Sequence, residues 1–202
     1  MGEQLIEAVE KAIDQLVADF QRNPDRSWNE RDMHWSLFYY LKREEVIEEV
    51  CVTQLIRAEF PTLNKFDGAR GHYDLVVLDY ESYNSPDVQA MKAETSWNEF
   101  LPKIKITIAT EVKLWQVRFQ HERADKIINW DIRKLAENPN VLNAYFLNFV
   151  QLGFTKQEMK SWYSMLRGLL MTQKRSWPDL KILCVPSDKT IQPDPSQNWL
   201  SL

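Results

Sequence analysis

Lys103-Ile-Lys-Ile-Thr-Ile-Ala-Thr-Glu111-Val-Lys113-Leu-Trp115 is the stretch on which the reading of this chain turns. Its apolar residues Ile104, Ile106, Ile108, Val112 and Leu114 recur at even intervals, and side chains alternate between the two faces of an extended strand. The other face then carries Lys103, Lys105, Thr107, Ala109, Glu111 and Lys113, so Glu111 and Lys113 project side by side. Two further acid-x-lysine triplets lack this geometry. Glu158-Met-Lys160 falls in a helical pattern, where positions i and i+2 point about 200° apart. Asp179-Leu-Lys181 follows Pro178 with no acid-bearing strand immediately before it.

Upstream, a strand over Tyr73 to Tyr80 puts His72, Asp74, Val76, Leu78 and Tyr80 on one face. Asp74 is thus an acid opening a mostly apolar stripe, a costly place for a carboxylate that is not paired, hydrogen-bonded or bound to a cation. Adjacent strands would set it beside Glu111. Two carboxylates and the backbone carbonyl of Val112 suit a hard cation such as Mg²⁺ or Mn²⁺, and Lys113 would orient an attacking water or stabilise developing negative charge. The competing account is a cross-strand ion pair on a solvated sheet face, worth about 0.2–1 kcal/mol. Helices that follow Trp115 argue against it, because they should cover both faces of the sheet.

Those helices belong to a wider pattern. Leu5, Ile6, Val9, Ile13, Leu16, Val17 and Phe20 make an amphipathic helix over residues 3–21, ended by Asn23-Pro24. A second helix opens on Ser27 and Glu30, read as an S-x-x-E capping box, and continues through Met33, Leu37 and Leu41 toward Val50. As the last member of that box Glu30 has a structural use, and as an acid near the sheet it is also a candidate further metal ligand. Extended stretches at Gln54 to Phe60, Tyr73 to Tyr80 and Lys103 to Trp115 follow, with a short helix near Asp87 to Glu94 in the long connection Glu81 to Pro102. A helix over Glu122 to Glu137, a strand over Ala144 to Val150, a helix over Thr155 to Met171 opened by a Thr155/Glu158 capping box, and a strand at Ile182 to Val185 complete the chain. The expected fold is α/β, three layers around a central mixed sheet of about five strands, in a single domain over residues 1–202.

Composition narrows the partners. A net charge of −4 is not that of a typical nucleic-acid binder, yet residues 1–50 hold twelve acids against six Lys or Arg, while six bases face three acids between Lys113 and Lys134. No window offers a membrane span or leader, so a cytoplasmic protein without membrane contact is expected. Cys51 and Cys184 read as buried free thiols. His72 and His121 read as surface residues, and Asp131 with Lys134 as a helix-surface pair. Of the tryptophans, Trp35, Trp130 and Trp162 are expected in the core, and Trp28, Trp97 and Trp115 are kept as candidate ligand contacts.

With Asp74 followed by Glu111-Val-Lys113 behind an acid-bearing helix, the chain resembles the PD-(D/E)xK, or restriction-endonuclease-like, nuclease superfamily. The likeness spans about residues 27–150 and includes the order helix, three-strand meander, helix, strand. Tyr73 replaces the proline that names the motif, and the interval from Asp74 to Glu111 exceeds a simple hairpin. The resemblance implies metal ligation by Asp74 and Glu111, a catalytic Lys113, and an accessory Glu30. It also implies hydrolysis of nucleic-acid phosphodiesters, DNA more than RNA. A non-catalytic interaction module on the same fold is the alternative, and a homodimer or protein partner stays open, the acidic first fifty residues favouring a protein on that face.

Overall fold

The computed structural model describes residues 2–23, 26, 28–44, 55–66, 69–94, 97–115, 121–151, 154–172, 179–188 and 199–201. Helix α1 (Gly2–Arg22) buries Leu5, Val9, Ala12, Ile13, Leu16 and Phe20, the three- and four-residue spacing that a single apolar stripe requires. Helix α2 (Glu30–Leu41) buries Met33, Leu37 and Leu41. Its cap corrects the expected one. Asn29, not Ser27, is the N-cap: its side chain accepts from Asp32 N at 2.9 Å, and Asp32 Oδ2 accepts from Asn29 N at 3.1 Å. An Asx residue closer to the apolar run wins the cap, and Glu30 is released from that duty. The continuation expected toward Val50, and Cys51, lie outside the described residues.

The sheet has the order β1-β2-β3-β4-β5-β6. Strands β1 (Ile56–Phe66), β2 (Ala69–Leu78) and β3 (Ile106–Trp115) form an antiparallel meander. Between β2 and β3 stand α3 (Tyr80–Tyr83), α4 (Pro86–Glu94), α5 (Trp97–Phe100) and a 3-10 turn at Leu101–Lys103. The strand expected from Lys103 therefore begins at Ile106, because Pro102 favours the turn before it. Helix α6 (His121–Ala136) crosses to β4 (Val141–Val150), and α7 (Lys156–Thr172) crosses to β5 (Asp179–Pro186), both strands parallel to their predecessor. A three-residue antiparallel edge strand, β6 (Trp199–Ser201), was not expected from the sequence.

Helices cover both faces, an arrangement compatible with three layers. On one face Phe20 of α1 meets Phe149 edge-on at 5.1 Å, and Glu10 accepts from Tyr145 Oη. On the other, Trp162 of α7 meets Trp115 at 5.1 Å, and Tyr163 Oη donates to Cys184 O. Both faces being covered explains why β3 and β4 carry almost no exposed position. The Thr155/Glu158 box caps α7. Cys184 is a buried free thiol that accepts from Asn148 Nδ2, and burial pushes its pKa up to about 12. Among the described residues no helix is long and apolar enough to cross a membrane.

The aromatic expectations fare unevenly. Trp162 is core, but Trp35 is 59% exposed, Trp130 half-buried, and Trp28 and Trp115 are buried. Trp28 packs on Phe20 and donates to Asn23 O, and Trp115 donates to Asn148 Oδ1. The side chains of Trp97 and His121 lie outside the described residues.

Candidate metal and phosphodiester site

The site is made where two strands part. The paired residues of β2 and β3 run from Leu78 to Leu75 and stop at the pair Leu75–Thr110, while β3 continues to Trp115 along β4. Backbone groups of β3 that point toward β2 beyond that pair lack a ladder partner. Carboxylates replace it. Asp74 Oδ2 accepts from Val112 N at 2.7 Å, and Glu30 Oε1, from the first turn of α2, accepts from Leu114 N at 3.4 Å. In an extended strand the N–H and C=O of one residue point to the same side, so the Val112 carbonyl faces this fork too.

Around the fork the sequence candidates converge and others join them. Lys113 Nζ lies 3.7 Å from Glu30 Oε2 and 3.4 Å from Asp131 Oδ2. Glu111 is fully buried, with Oε1 2.7 Å from Lys134 Nζ; Lys134 Nζ also lies 3.1 Å from Asp131 Oδ1 and donates to His72 O at 2.9 Å. Asp131 and Lys134 are thus not a helix-surface pair. Both are buried, because the face of α6 carrying them packs on the sheet. His72 itself is exposed, as expected. His34, one helical turn beyond Glu30, puts Nε2 3.1 Å from Asp74 Oδ2.

Glu59 completes the rim. It lies on β1 between the pairs Ala58–Leu75 and Phe60–Tyr73, and its φ is 51°. A non-glycine residue in the left-handed region stores strain, which folded proteins retain mainly at functional positions. One ligand atom each from His34, Glu59 and Asp74 lies within 4.8 Å of the others. Asp74 is common to this set and to the Asp74, Glu111, Val112 set read from sequence.

Charge and burial oppose each other here. Burial drives the Glu111 carboxyl well above the ordinary glutamate range, Asp74 adds to the rise, and Lys134 only partly offsets it. Burial also favours protonated Asp74, but His34, the Val112 N–H and Lys113 outweigh it and hold its carboxyl low. Lys113 is desolvated, which by itself lowers an ammonium pKa; Asp131, Glu30, Asp74 and Glu111 reverse the sign and hold it above the ordinary lysine range. In the metal-free protein the surrounding carboxylates therefore favour the charged form of Lys113.

Glu111 leads to a prediction. A carboxyl whose folded pKa is raised contributes stability that is fully present below its unfolded pKa and lost as pH rises through the folded one. The stability of metal-free wild type relative to Glu111→Gln should fall in urea unfolding as pH rises above the ordinary glutamate range. An independent check concerns packing. A Cβ on Gly71 would stand 3.0 Å from Lys134 Cδ, and Lys134 is pinned by three oxygens. Gly71→Ala should cost about 1–3 kcal/mol by the same measurement.

Five carboxylates (Glu30, Glu59, Asp74, Glu111, Asp131) stand around the fork with His34, Lys113 and Lys134, and Arg31 and Arg57 line the cleft beside them. Glu111 Oε2, wholly buried, has no hydrogen-bond donor among the described residues, and a buried carboxylate oxygen in that position is costly until a cation or proton reaches it. The oxygen ligands suit Mg²⁺ or Mn²⁺, whereas the His34 imidazole would suit a softer divalent ion than Mg²⁺. Comparison with family models, curated proteins and solved structures finds no match for this chain.

Proposed function

We propose that the protein is a metal-dependent nuclease that hydrolyses phosphodiester bonds of DNA, with its active site at the fork between β2 and β3. The observation that carries this reading is the meeting of Asp74, Lys113 and Glu30 around the unpaired Val112–Leu114 backbone, with Glu111 buried behind them. It agrees with the resemblance of the sequence to the PD-(D/E)xK, or restriction-endonuclease-like, superfamily.

Asp74, Glu111 and the Val112 carbonyl would hold Mg²⁺ or Mn²⁺, with Glu30 as a further ligand direct or through water, and His34 and Glu59 as an alternative pair around Asp74. When bound, the ion would polarise the phosphoryl oxygen and lower the pKa of an attacking water. The residues supply the rest. Lys113 would face the negative charge that develops on the phosphoryl oxygens and hold the phosphodiester against the acids of the fork. Asp131 and Glu30 aim its ammonium from two sides. Lys134 pairs with one oxygen of Glu111 and offsets part of the burial that favours its protonated form; a bound cation would offset more. His34 braces Asp74, in the manner of an outer partner that fixes a ligand carboxylate.

The test is cleavage of plasmid, linear duplex and single-stranded DNA, and of RNA, by wild type and Lys113→Ala with Mg²⁺ or Mn²⁺. Metal-dependent cleavage by wild type that Lys113→Ala loses is expected. Equal residual activity in both would sink the reading.

A further inference from the structure

Arg31, Trp35, Tyr39 and Arg43 follow one another at four-residue intervals along α2 and the turn after it, and all four are exposed, Trp35 by 59% and Tyr39 by 56%. Residues four apart are neighbours on a helix, so these make one stripe of cation, ring, ring, cation. Trp35 points about 200° away from Met33 and Leu37, the residues that hold α2 to the core, and so adds nothing to that packing. The rings are braced: Trp35 stands edge-on to Phe38 at 5.9 Å, Tyr39 edge-on to Tyr40 at 5.7 Å, and the Arg43 guanidinium lies 5.5 Å from the Tyr39 ring centroid.

The stripe runs into the proposed active site. Arg31 and Trp35 line a cleft of about 660 Å³ that also takes in Glu30, His34, Arg57 and Glu59. Arg57 is positioned there by a 2.9 Å hydrogen bond to Tyr83 Oη.

We propose that this stripe is a stacking track for single-stranded DNA, delivering an unpaired strand to the fork; it rests on the nuclease reading above for what happens there. Exposed rings take bases of any sequence on their faces, and the arginines at the two ends of the stripe, Arg31 and Arg43, take the flanking phosphates. Spacing selects the single strand. Successive platforms lie about 6 Å apart along the helix, against a rise of about 3.4 Å per stacked base in a duplex strand. Each ring is thus offered to a base that has left its stack. Cations on both sides of the rings favour a polyanion over an apolar protein partner.

The experiment is fluorescence anisotropy in EDTA with a labelled oligothymidylate of about 12 nucleotides and a duplex of the same length. Wild type is expected to bind the single strand more tightly than the duplex. Trp35→Ala should weaken single-strand binding about ten-fold, while Trp35→Phe, which keeps a ring, should retain most of it. Trp35 is a surface residue, so neither change threatens folding. Unchanged affinity in Trp35→Ala, or a wild-type preference for duplex, overturns the proposal. So does a Trp35→Ala protein that dissociates from dimer to monomer in sedimentation yet binds the oligomer as before. No metal or cleavage enters this measurement. Failure of the nuclease reading, seen as equal inactivity of wild type and Lys113→Ala, is therefore distinct from failure of the track, seen as unaltered binding by Trp35→Ala.

Discussion

Lys134→Met should destabilise the protein by about 3–5 kcal/mol at neutral pH, the usual loss when one partner of a buried charge network is removed. Lys134 has three ammonium protons, and its nitrogen meets three oxygens, on Glu111, Asp131 and the His72 carbonyl. Methionine keeps the length and the packing over Gly71, so the loss isolates the charge. Glu111 is wholly buried and Asp131 nearly so, and without the ammonium neither can turn to water. Glu111 has one escape, which is to take up a proton. Its pKa, already raised by burial and by Asp74, would rise further once Lys134 is gone. The deficit should then shrink as pH falls toward about 5. Urea unfolding at two pH values reads both parts of the prediction, and a loss below about 1 kcal/mol at neutral pH would show that the network is not held as described.

Lys113→Ala should reduce the rate of cleavage about 10²–10³-fold while leaving the fold intact, the range seen when one preorganised donor to a developing anion is lost. Lys113 differs from Lys134 in its surroundings. Its contacts to Glu30 and Asp131 are 3.7 and 3.4 Å, looser than the 2.7 Å between Lys134 and Glu111, and its side chain is partly open to solvent. An ammonium so placed is restrained yet free to move onto a phosphate. The acids around Lys113 favour its charged form, and the pH profile of wild-type cleavage is expected to show no limb that Lys113→Ala removes. Single-turnover rates across pH check this, and a rate that climbs with the loss of a proton from Lys113 would assign it the role of a base.

How far these features could be read from the sequence depends on which period carried them. Glu111 and Lys113 were legible because alternation along a strand is strict and the neighbouring positions were unambiguous. Asp131 and Lys134 read as a surface pair by their i,i+3 spacing alone, although Asp131 stands three residues after Ile128 and four before Leu135, on the stripe that α6 buries. Reading that stripe through the charged residue would have found them. His34 had an equally local signal, four residues from Glu30 on the same helix face. Trp35 was placed in the core against its own spacing from Met33 and Leu37. Glu59 offered nothing readable, since its place depends on the β1–β2 register and on a left-handed backbone that side-chain pattern does not encode. The capping of α2 turned on a two-residue shift from Ser27 to Asn29, within the ordinary ambiguity of adjacent cap-forming residues. The meander and the two parallel crossovers followed from element order, whereas edge strand β6 is too short for any period to mark.

Titration of Mn²⁺ into metal-free protein, followed by electron paramagnetic resonance, bears most directly on the fork as a cation site. Wild type should take up the ion, and Asp74→Asn and Glu111→Gln should each weaken its binding at least about ten-fold. Equal uptake by all three proteins, or none by wild type, would contradict it.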